Sequence, residues 1–282
     1  MGLVVGLAGM DAFELLAEET RADVLRALAA HQRDNPRDPA LSFSELREHA
    51  GVADSGNFNY HLGKLDGRFV RKTDAGYALT PRGVRLAALA VAGFADPAFG
   101  DPEPLGADCP ACGEPLAVAY DEGMVAVACG SDHVFPRSFM RPPGADRDPA
   151  DLARVASLLG RQTAERVAAG VCPVCDGRVD VAPRDLGTDV VPVTYTGTCA
   201  DCGTPVGVPP EFVASTVPAV VAFWHERGVD VADTPVWALP LWDAAATERE
   251  GEAVVVALAC AGDRLSVTFD DSASVVTVDG PE

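Results

Sequence analysis

The spacing of the cysteines constrains this chain most. Eight occur in 282 residues, and none precedes position 109. Cys172-Pro-Val-Cys175 and Cys199-Ala-Asp-Cys202 are C-x2-C knuckles with 23 residues between them. Two such knuckles deliver four thiolates to the corners of a tetrahedron, the arrangement that Zn2+ accepts in closed structural sites. Gly177 and Gly203 follow their knuckles closely, and the β-rich stretch 190–196 lies between. Residues 171–208 therefore read as a four-cysteine zinc ribbon. Disulfides are the alternative, and a cytoplasmic setting disfavours them. Cys109-Pro-Ala-Cys112 is a third knuckle; 116–120 and 124–128 flank a turn at Asp121-Glu122-Gly123, and Cys129 follows. The fourth cysteine is replaced by His133 at C-x3-H, which gives 108–140, a zinc-ribbon-like module, a ligand set of three cysteines and one histidine. A metal-free remnant with a solvated His133 is the alternative there. Two Zn2+ ions are the expected cofactors. Cys260 has no partner and reads as a small buried residue at a strand end.

The same spacing argues against catalysis. A thioredoxin-type C-x-x-C needs its first thiol at a helix start in a βαβ unit, and neither setting offers one. A metal with four protein ligands has no open position for water. No glutamate stands beside a ligand as a zinc hydrolase requires. A chain that is not an enzyme is expected.

The 108 residues before the knuckles have a different pattern. A short helical pattern runs from Asp11 to Glu18, and Met10-Asp11 reads as a start alternative to Met1. Thr20 with Asp23 is a capping signature for a helix that buries Val24, Leu25 and Leu28. Residues 44–50 form one more short helix, which Gly51 ends. Asp54 caps a helix to Leu65 with Phe58, Leu62 and Leu65 on one face. Residues 69–73 and 77–80 bracket the turn Asp74-Ala75-Gly76, a hairpin signal. Thr80 and Pro81 then open a helix to about Phe94. That order predicts a winged helix–turn–helix over 10–94, followed by a proline-rich linker over 95–107.

Beyond the first cysteine module, Asp148 and Pro149 open an amphipathic helix over 148–170, with Leu152, Val155, Leu159 and Val167 along one face. Residues 209–282 read as a helix over 216–227 and a small antiparallel sheet, with Leu265, Val267 and Phe269 inward. Trp237 and Trp242 are either core or the lining of a ligand pocket. The fold class expected is a multidomain α+β chain: the winged helix, two ribbon-like modules joined by a helix, and a C-terminal α/β region.

Charge separates the halves. The chain has 22 Lys+Arg against 42 Asp+Glu, a net of −20. Such acidity repels nucleic acid at low ionic strength but suits a cytoplasm with molar salt, where screening acts within ~3 Å; an extreme halophile is the expected source. Residues 1–94 hold 11 cations and 12 anions, and the remainder 11 and 30. Within 57–85, Lys64, Arg68, Arg71, Lys72, Arg82 and Arg85 face only Asp66 and Asp74. One basic segment inside an acidic chain points to a polyanion. The longest apolar stretches, 213–224 and 86–94, are shorter than the ~18 residues of a membrane span, and no signal pattern leads the chain. A soluble, cytoplasmic protein with no membrane partner is expected.

Glu19-Thr-Arg-Ala-Asp-Val-Leu-Arg-Ala-Leu28, Leu41-Ser-Phe-Ser-Glu-Leu46 and Asn59-Tyr-His-Leu-Gly-Lys-Leu65 resemble the ArsR-like winged-helix regulators, in particular the branch of halophilic archaea with appended zinc ribbons. The likeness spans 11–94, a third of the chain. It implies that the helix with Tyr60 and His61 enters the major groove, flanked by the hairpin. Ser55, Asn57, Asn59, Tyr60 and Lys64 would then face double-stranded DNA. The asparagines have the chemistry to pair with adenine; Lys64, Arg68, Arg71 and Lys72 suit phosphates. His61 either packs beneath the helix or touches DNA. Metal-sensing members carry cysteines on this helix, and this chain has none there, which argues against sensing at that position. A homodimer on two half-sites follows, joined through the outer helices of the winged domain or through the helix at 149–169. The alternative is an adaptor of the transcription machinery, an RNA polymerase-associated factor resembling the large subunit of archaeal transcription factor E.

Overall fold

The computed structural model describes residues 17–91, 101–121, 123–140, 147–187, 191–242 and 246–280. The helical reading of 11–16, the end of the helix expected to reach Phe94 and the first six residues of the linker, 95–100, lie outside them. The described residues form a mixed α+β structure with seven α-helices and four small antiparallel sheets. They fall into two units, Met1–Asp96 and Pro97–Glu282.

The first unit starts with α1, Glu19–Asp34, which buries Val24, Leu25, Ala27 and Leu28. Its cap differs from the sequence reading: Glu18 is the N-cap residue, without a side-chain cap, and Thr20 lies within the first turn. Asp23 pairs with Arg26 at 2.5 Å instead. Helix α2, Phe43–His49, has a capping box that the sequence reading does not include. Ser42 Oγ accepts from the Glu45 amide, and the Glu45 carboxylate accepts from the Ser42 amide at 2.9 Å. Two orphan amides are thereby satisfied. Gly51 ends the helix at φ 68°. Helix α3, Ser55–Leu65, is capped by Asp54, whose carboxylate accepts from the Asn57 amide. Phe58, Leu62 and Leu65 are buried, as their spacing demands.

Strands β1, Val70–Thr73, and β2, Gly76–Leu79, pair antiparallel with Arg71 opposite Ala78 and Lys72 opposite Tyr77. Leu41 and Tyr77 exchange backbone hydrogen bonds of 3.0 and 2.8 Å, which cover the free edge of β2. Thr80 accepts from the Gly83 amide at 3.1 Å and opens α4, Pro81–Val91. One core joins Val24, Leu28, Leu46, Phe58, Leu62, Leu65 and Val70.

The second unit starts within the expected linker. Glu103–Asp108 is a strand, β3, and pairs with β4, Pro115–Asp121. Strands β5, Met124–Ala128, and β6, Val134–Phe139, complete a meander. Its buried face (Leu116, Val118, Tyr120, Val125, Val127) packs against α5, Pro149–Ala168. Asp148 caps α5 as expected, but its buried stripe is different. Ala153, Ala156, Ser157, Gly160 and Ala164 join Leu152 and Val167, whereas Val155 and Leu159 are half-buried. Small residues let the sheet approach closely: a Cβ at Gly160 would lie 2.7 Å from Pro136 Cβ. This face of α5, one candidate for a homodimer contact, is occupied within the chain.

Strands β7, Val179–Asp185, β8, Val193–Cys199, and β9, Pro205–Val208, form the second cysteine module. It does not have a core of its own. Val179, Val193, Tyr195, Val206 and Val208 share one cluster with Ala164 and Val167 of α5, with α6 (Pro210–Ala214) and α7 (Pro218–His225), and with the C-terminal sheet. The separate modules 171–208 and 209–282 are thus one packed body. The expected helix at 216–227 is shorter, with α6 and its proline start in front of it. The C-terminal sheet is a meander of β10, Ala246–Glu250, β11, Ala253–Cys260, β12, Asp263–Phe269, and β13, Val275–Asp279. Val254, Val256, Leu258, Leu265, Val267 and Phe269 point inward. Strand β10 is absent from the sequence reading because Thr247–Glu250 is polar and carries no apolar alternation. Trp242 packs edge-on against Phe135, centroids 4.5 Å apart, and against Phe212 at 5.5 Å. Trp237 is buried and Trp242 half-buried; both pack with the core. No helix among the described residues is long and apolar enough to cross a membrane.

Candidate metal centres and nucleic-acid interface

Three of the cysteine knuckles close in the same way. The amides of Cys109, Cys172 and Cys199 donate to the carbonyls of Glu114, Gly177 and Thr204, five residues on, at 2.7–2.9 Å. Their own carbonyls accept from the amides of Gly113, Asp176 and Gly203, four residues on. These last three residues lie at φ 76°, 64° and 73°, the left-handed turn that glycine adopts without penalty. The result is a tight loop with both sulfurs on its inner side. The fourth loop is one residue shorter. Cys129 N donates to His133 O at 3.1 Å, and Asp132, at φ 61°, takes the left-handed place. The candidate ligand there is His133, just before β6, whose longer imidazole brings a nitrogen back to the cluster.

These loops bring together all eight ligands expected from the sequence. Cys109, Cys112, Cys129 and His133 form one cluster, and Cys172, Cys175, Cys199 and Cys202 the other; in each, every ligand atom lies within 4.8 Å of the rest. His133 Nδ1 is 3.5 Å from both Cys109 Sγ and Cys129 Sγ, and Cys112 Sγ is 3.6 Å from Cys129 Sγ. In the second cluster the Cys172–Cys202 and Cys175–Cys199 sulfurs are 3.7 and 3.5 Å apart. A disulfide requires ~2.05 Å; all eight cysteines are free. Separations of this size match the edges of a tetrahedron about an ion with metal–sulfur bonds of ~2.3 Å.

The electrostatics of the clusters would suit a cation. Bonds from the hydroxyl and amide of Thr204 hold the Cys202 thiol down to about 6. In the same cluster, Gly177 N–H favours the Cys175 thiolate, yet the neighbouring thiols Cys202, Cys199 and Cys172 push it up to about 12. Packed thiolates repel, so one ionises at the expense of the next. A positive ion among them removes the conflict. The amides of Val174 and Gly177 donate to Cys172 Sγ and Cys175 Sγ at 3.4 Å, outer bonds of the kind that tune metal-bound thiolates. Gly177 also makes room for Asp201: a Cβ there would fall 2.2 Å from Asp201 Oδ2, which accepts from Arg178 N. Cys260 packs, half-buried, against the larger core.

The residues expected to face DNA lie on α3, in the turn after it (Arg68) and on β1. Ser55, Asn57, Asn59, Tyr60, Lys64, Arg68, Arg71 and Lys72 are all exposed, and Tyr60 is 57% exposed in spite of its ring. At 100° per residue, Asn59, Tyr60 and Lys64 point away from the arc of Phe58, His61, Leu62 and Leu65. The Lys64 ammonium stands 5.3 Å above the Tyr60 ring, and that of Lys72 6.0 Å above Tyr77. Ser55 lies near the edge of the buried arc, and Asn57 on the flank of His61.

His61 packs beneath the helix, 7% exposed. Its Nδ1 accepts from Arg21 Nε at 3.3 Å, so the ring proton is at Nε2, which donates to Asn57 Oδ1 at 3.1 Å. Glu18 Oε2 lies 3.1 Å from the same Nδ1 but without hydrogen-bond geometry. Asn57 is therefore engaged with the protein, while the Asn59 amide has no protein partner among the described residues. Glu18 and Arg21 escape a sequence reading because they stand about forty positions from His61 with no local pattern to join them. Gly56 and Gly63 carry no such signal either. They fall between Asn59 and Tyr60 on the exposed arc, and a Cβ at Gly63 would meet nothing within 4 Å.

Residues 106–275 match the model of a family described as a domain of unknown function, DUF7351. This chain belongs to the DUF7351 family. Residues 9–90 match a second model, also a domain of unknown function, DUF7347. No curated protein and no solved structure matches the chain. Both cysteine clusters fall within the DUF7351 match, and all eight candidate DNA contacts within the DUF7347 match. Strand β13 extends beyond the DUF7351 match from its second residue.

Proposed function

We propose that this chain is a sequence-specific, DNA-binding transcriptional regulator whose first unit is a winged helix–turn–helix and whose cysteine clusters hold two structural Zn2+ ions. The observation that carries the reading is the exposed face of α3. Asn59, Tyr60 and Lys64 are exposed there, Arg68, Arg71 and Lys72 follow directly, and acidification has spared this segment of a chain at −20. Asn59 would read a base edge, by bidentate pairing with adenine. Lys64, Arg68, Arg71 and Lys72 would hold phosphates, which set register but not sequence. High salt weakens the phosphate contribution by reducing counterion release, so base contacts and shape carry more of the affinity.

The second unit supports this reading by its chemistry. Three thiolates with one imidazole, or four thiolates, suit zinc, and four protein ligands leave no position for substrate. A structural metal stabilises the fold around it.

The test is selection of bound sequences from a random duplex pool in molar KCl, followed by titration of variants. Asn59→Ala should reduce the preference for the selected site over random DNA by about 5–150-fold, the worth of one bidentate pair of ~1–3 kcal/mol. Arg71→Ala should weaken both duplexes equally. A pool that yields no enriched sequence, or equal losses for both variants on both duplexes, would remove the base-reading role.

A further inference from the structure

We infer that β13 is a dimerisation edge at which a second copy of this chain adds its own β13, antiparallel, to make one continuous eight-stranded sheet. A sheet edge exposes unpaired amides and carbonyls, and soluble proteins protect such edges with charge, proline or cover. The other edges among the described residues carry such protection. Strand β1 holds Arg71 and Lys72, and β2 is covered by Leu41. Strand β3 has Glu103, Pro104 and Asp108; β6 has Pro136 and Arg137; β7 has Asp180, Pro183, Arg184 and Asp185. The four-residue β9 starts with Pro205, and β10 carries Glu248, Arg249 and Glu250. Strand β13 reads Val-Val-Thr-Val-Asp, with no proline and a single charge at its end. All five residues are exposed, Val276 at 59%.

A second copy is the occupant that charge selects. Wherever two such chains touch, charged side chains must be desolvated whatever the salt, so a second copy of a chain at −20 pairs at least cost along a neutral stretch. A two-fold axis at Thr277 pairs that residue with itself and Val276 with Val278. It sets Asp279 opposite Val275, so the two acids end up at opposite ends of the ladder. Thr–Thr and Val–Val cross-strand pairs are favourable, and an antiparallel edge is self-complementary as an isologous interface must be. The register against β12 shifts between Thr268 and Phe269, opposite Val276; this irregularity is the one protective device that β13 carries. A five-residue ladder is smaller than the ~800 Å² per partner of a standard interface, so the dimer is a weak one, which a bivalent ligand would tighten.

Sedimentation velocity of the metal-loaded full chain in molar KCl, from about 1 to about 100 µM, tests this without DNA, so its failure and that of the DNA-binding reading are separable. The expected result is a concentration-dependent dimer, weakened at least tenfold by Thr277→Lys. That substitution reduces the net negative charge and by overall electrostatics alone would favour association, so weakening is specific to the edge. Hydrogen exchange of the wild-type protein at the two ends of the range supplies a second readout that needs no variant: amides of 275–279 should slow in the dimer. A monomer at every concentration, an unweakened Thr277→Lys dimer, or protection confined to other segments overturns the proposal.

Discussion

Glu211 lies in the larger core at 5% exposure, with Oε1 accepting from the Thr247 hydroxyl and Oε2 without a hydrogen-bond partner. Burial raises its pKa, and the Thr247 bond offsets this only in part. The folded state therefore holds this proton more tightly than the unfolded state. The site's contribution to stability is complete below the unfolded value of 4.5 and is lost as pH rises through the raised folded value. Gln keeps an acceptor for Thr247 and has no charge to bury. Glu211→Gln should gain on the order of 1 kcal/mol over wild type at pH 7.5, and less at pH 4.5, in urea unfolding. The difference between the two proteins cancels the acid sensitivity of the thiolate clusters; a gain that grows as pH falls contradicts the assignment. At His61 the issue is connectivity. His61→Ala would remove the partner of Arg21 and Asn57 and leave a cavity beneath α3, at a cost of about 2–4 kcal/mol in thermal unfolding of the first unit. A surface histidine would cost nothing measurable. His61 is recognisable in the sequence only as a residue at the boundary of two faces, because Glu18 and Arg21 reach it from another helix.

The elements differ in how their glycines are used, and two substitutions of one kind should have opposite signs. On α3, Gly63 meets open space, so Gly63→Ala should add the helix propensity of alanine, about 0.8–1 kcal/mol. On α5, Gly160 lies against Pro136; Gly160→Ala must push β6 away, and overpacking of about 1–3 kcal/mol outweighs the propensity gain. Urea midpoints of the two variants check the pair, and a stabilised Gly160→Ala would show that α5 and β6 do not pack closely in solution. The reason the buried stripe of α5 departs from its sequence pattern belongs at this scale as well. Its leucines and valines suggest the usual apolar stripe, but a helix wedged between two modules needs small residues where backbones converge. The hairpin, the caps at Asp54, Thr80 and Asp148, and the turn at Gly51 are legible, since each depends on residues within a few positions.

For the molecule as a whole, all three tryptophans, Trp224, Trp237 and Trp242, lie in the second unit, so their fluorescence reports on that unit alone. Both clusters are wired into its cores: Cys109 and Cys129 are members of one, and strands β7–β9 supply Val179, Val193, Tyr195 and Val206 to the other. Two ions per chain are expected by elemental mass spectrometry. Chelation should red-shift the tryptophan emission and release both ions while the far-ultraviolet helix signal of the first unit persists, because metal and fold are coupled in the second unit only. Unchanged emission after complete metal loss would mean that the shared apolar cores suffice without the ions. Stability should also rise with KCl toward molar concentrations, as the self-repulsion of a chain at −20 is screened.

By itself the amino-acid sequence determined which cysteines and histidine cluster, the order of three helices, hairpin and helix in the first unit, and the segregation of its basic segment. Each of these is written in residue spacing over short stretches, where thiol geometry, capping and turn chemistry act locally. Only the tertiary structure decided that the second cysteine module and the C-terminal sheet are one body, that Asn57 is held by His61 while the Asn59 amide has no protein partner among the described residues, and that polar β10 is a strand. Those outcomes depend on elements brought together from distant parts of the chain, and chain entropy leaves no trace of which distant partner closes on which until the core has formed.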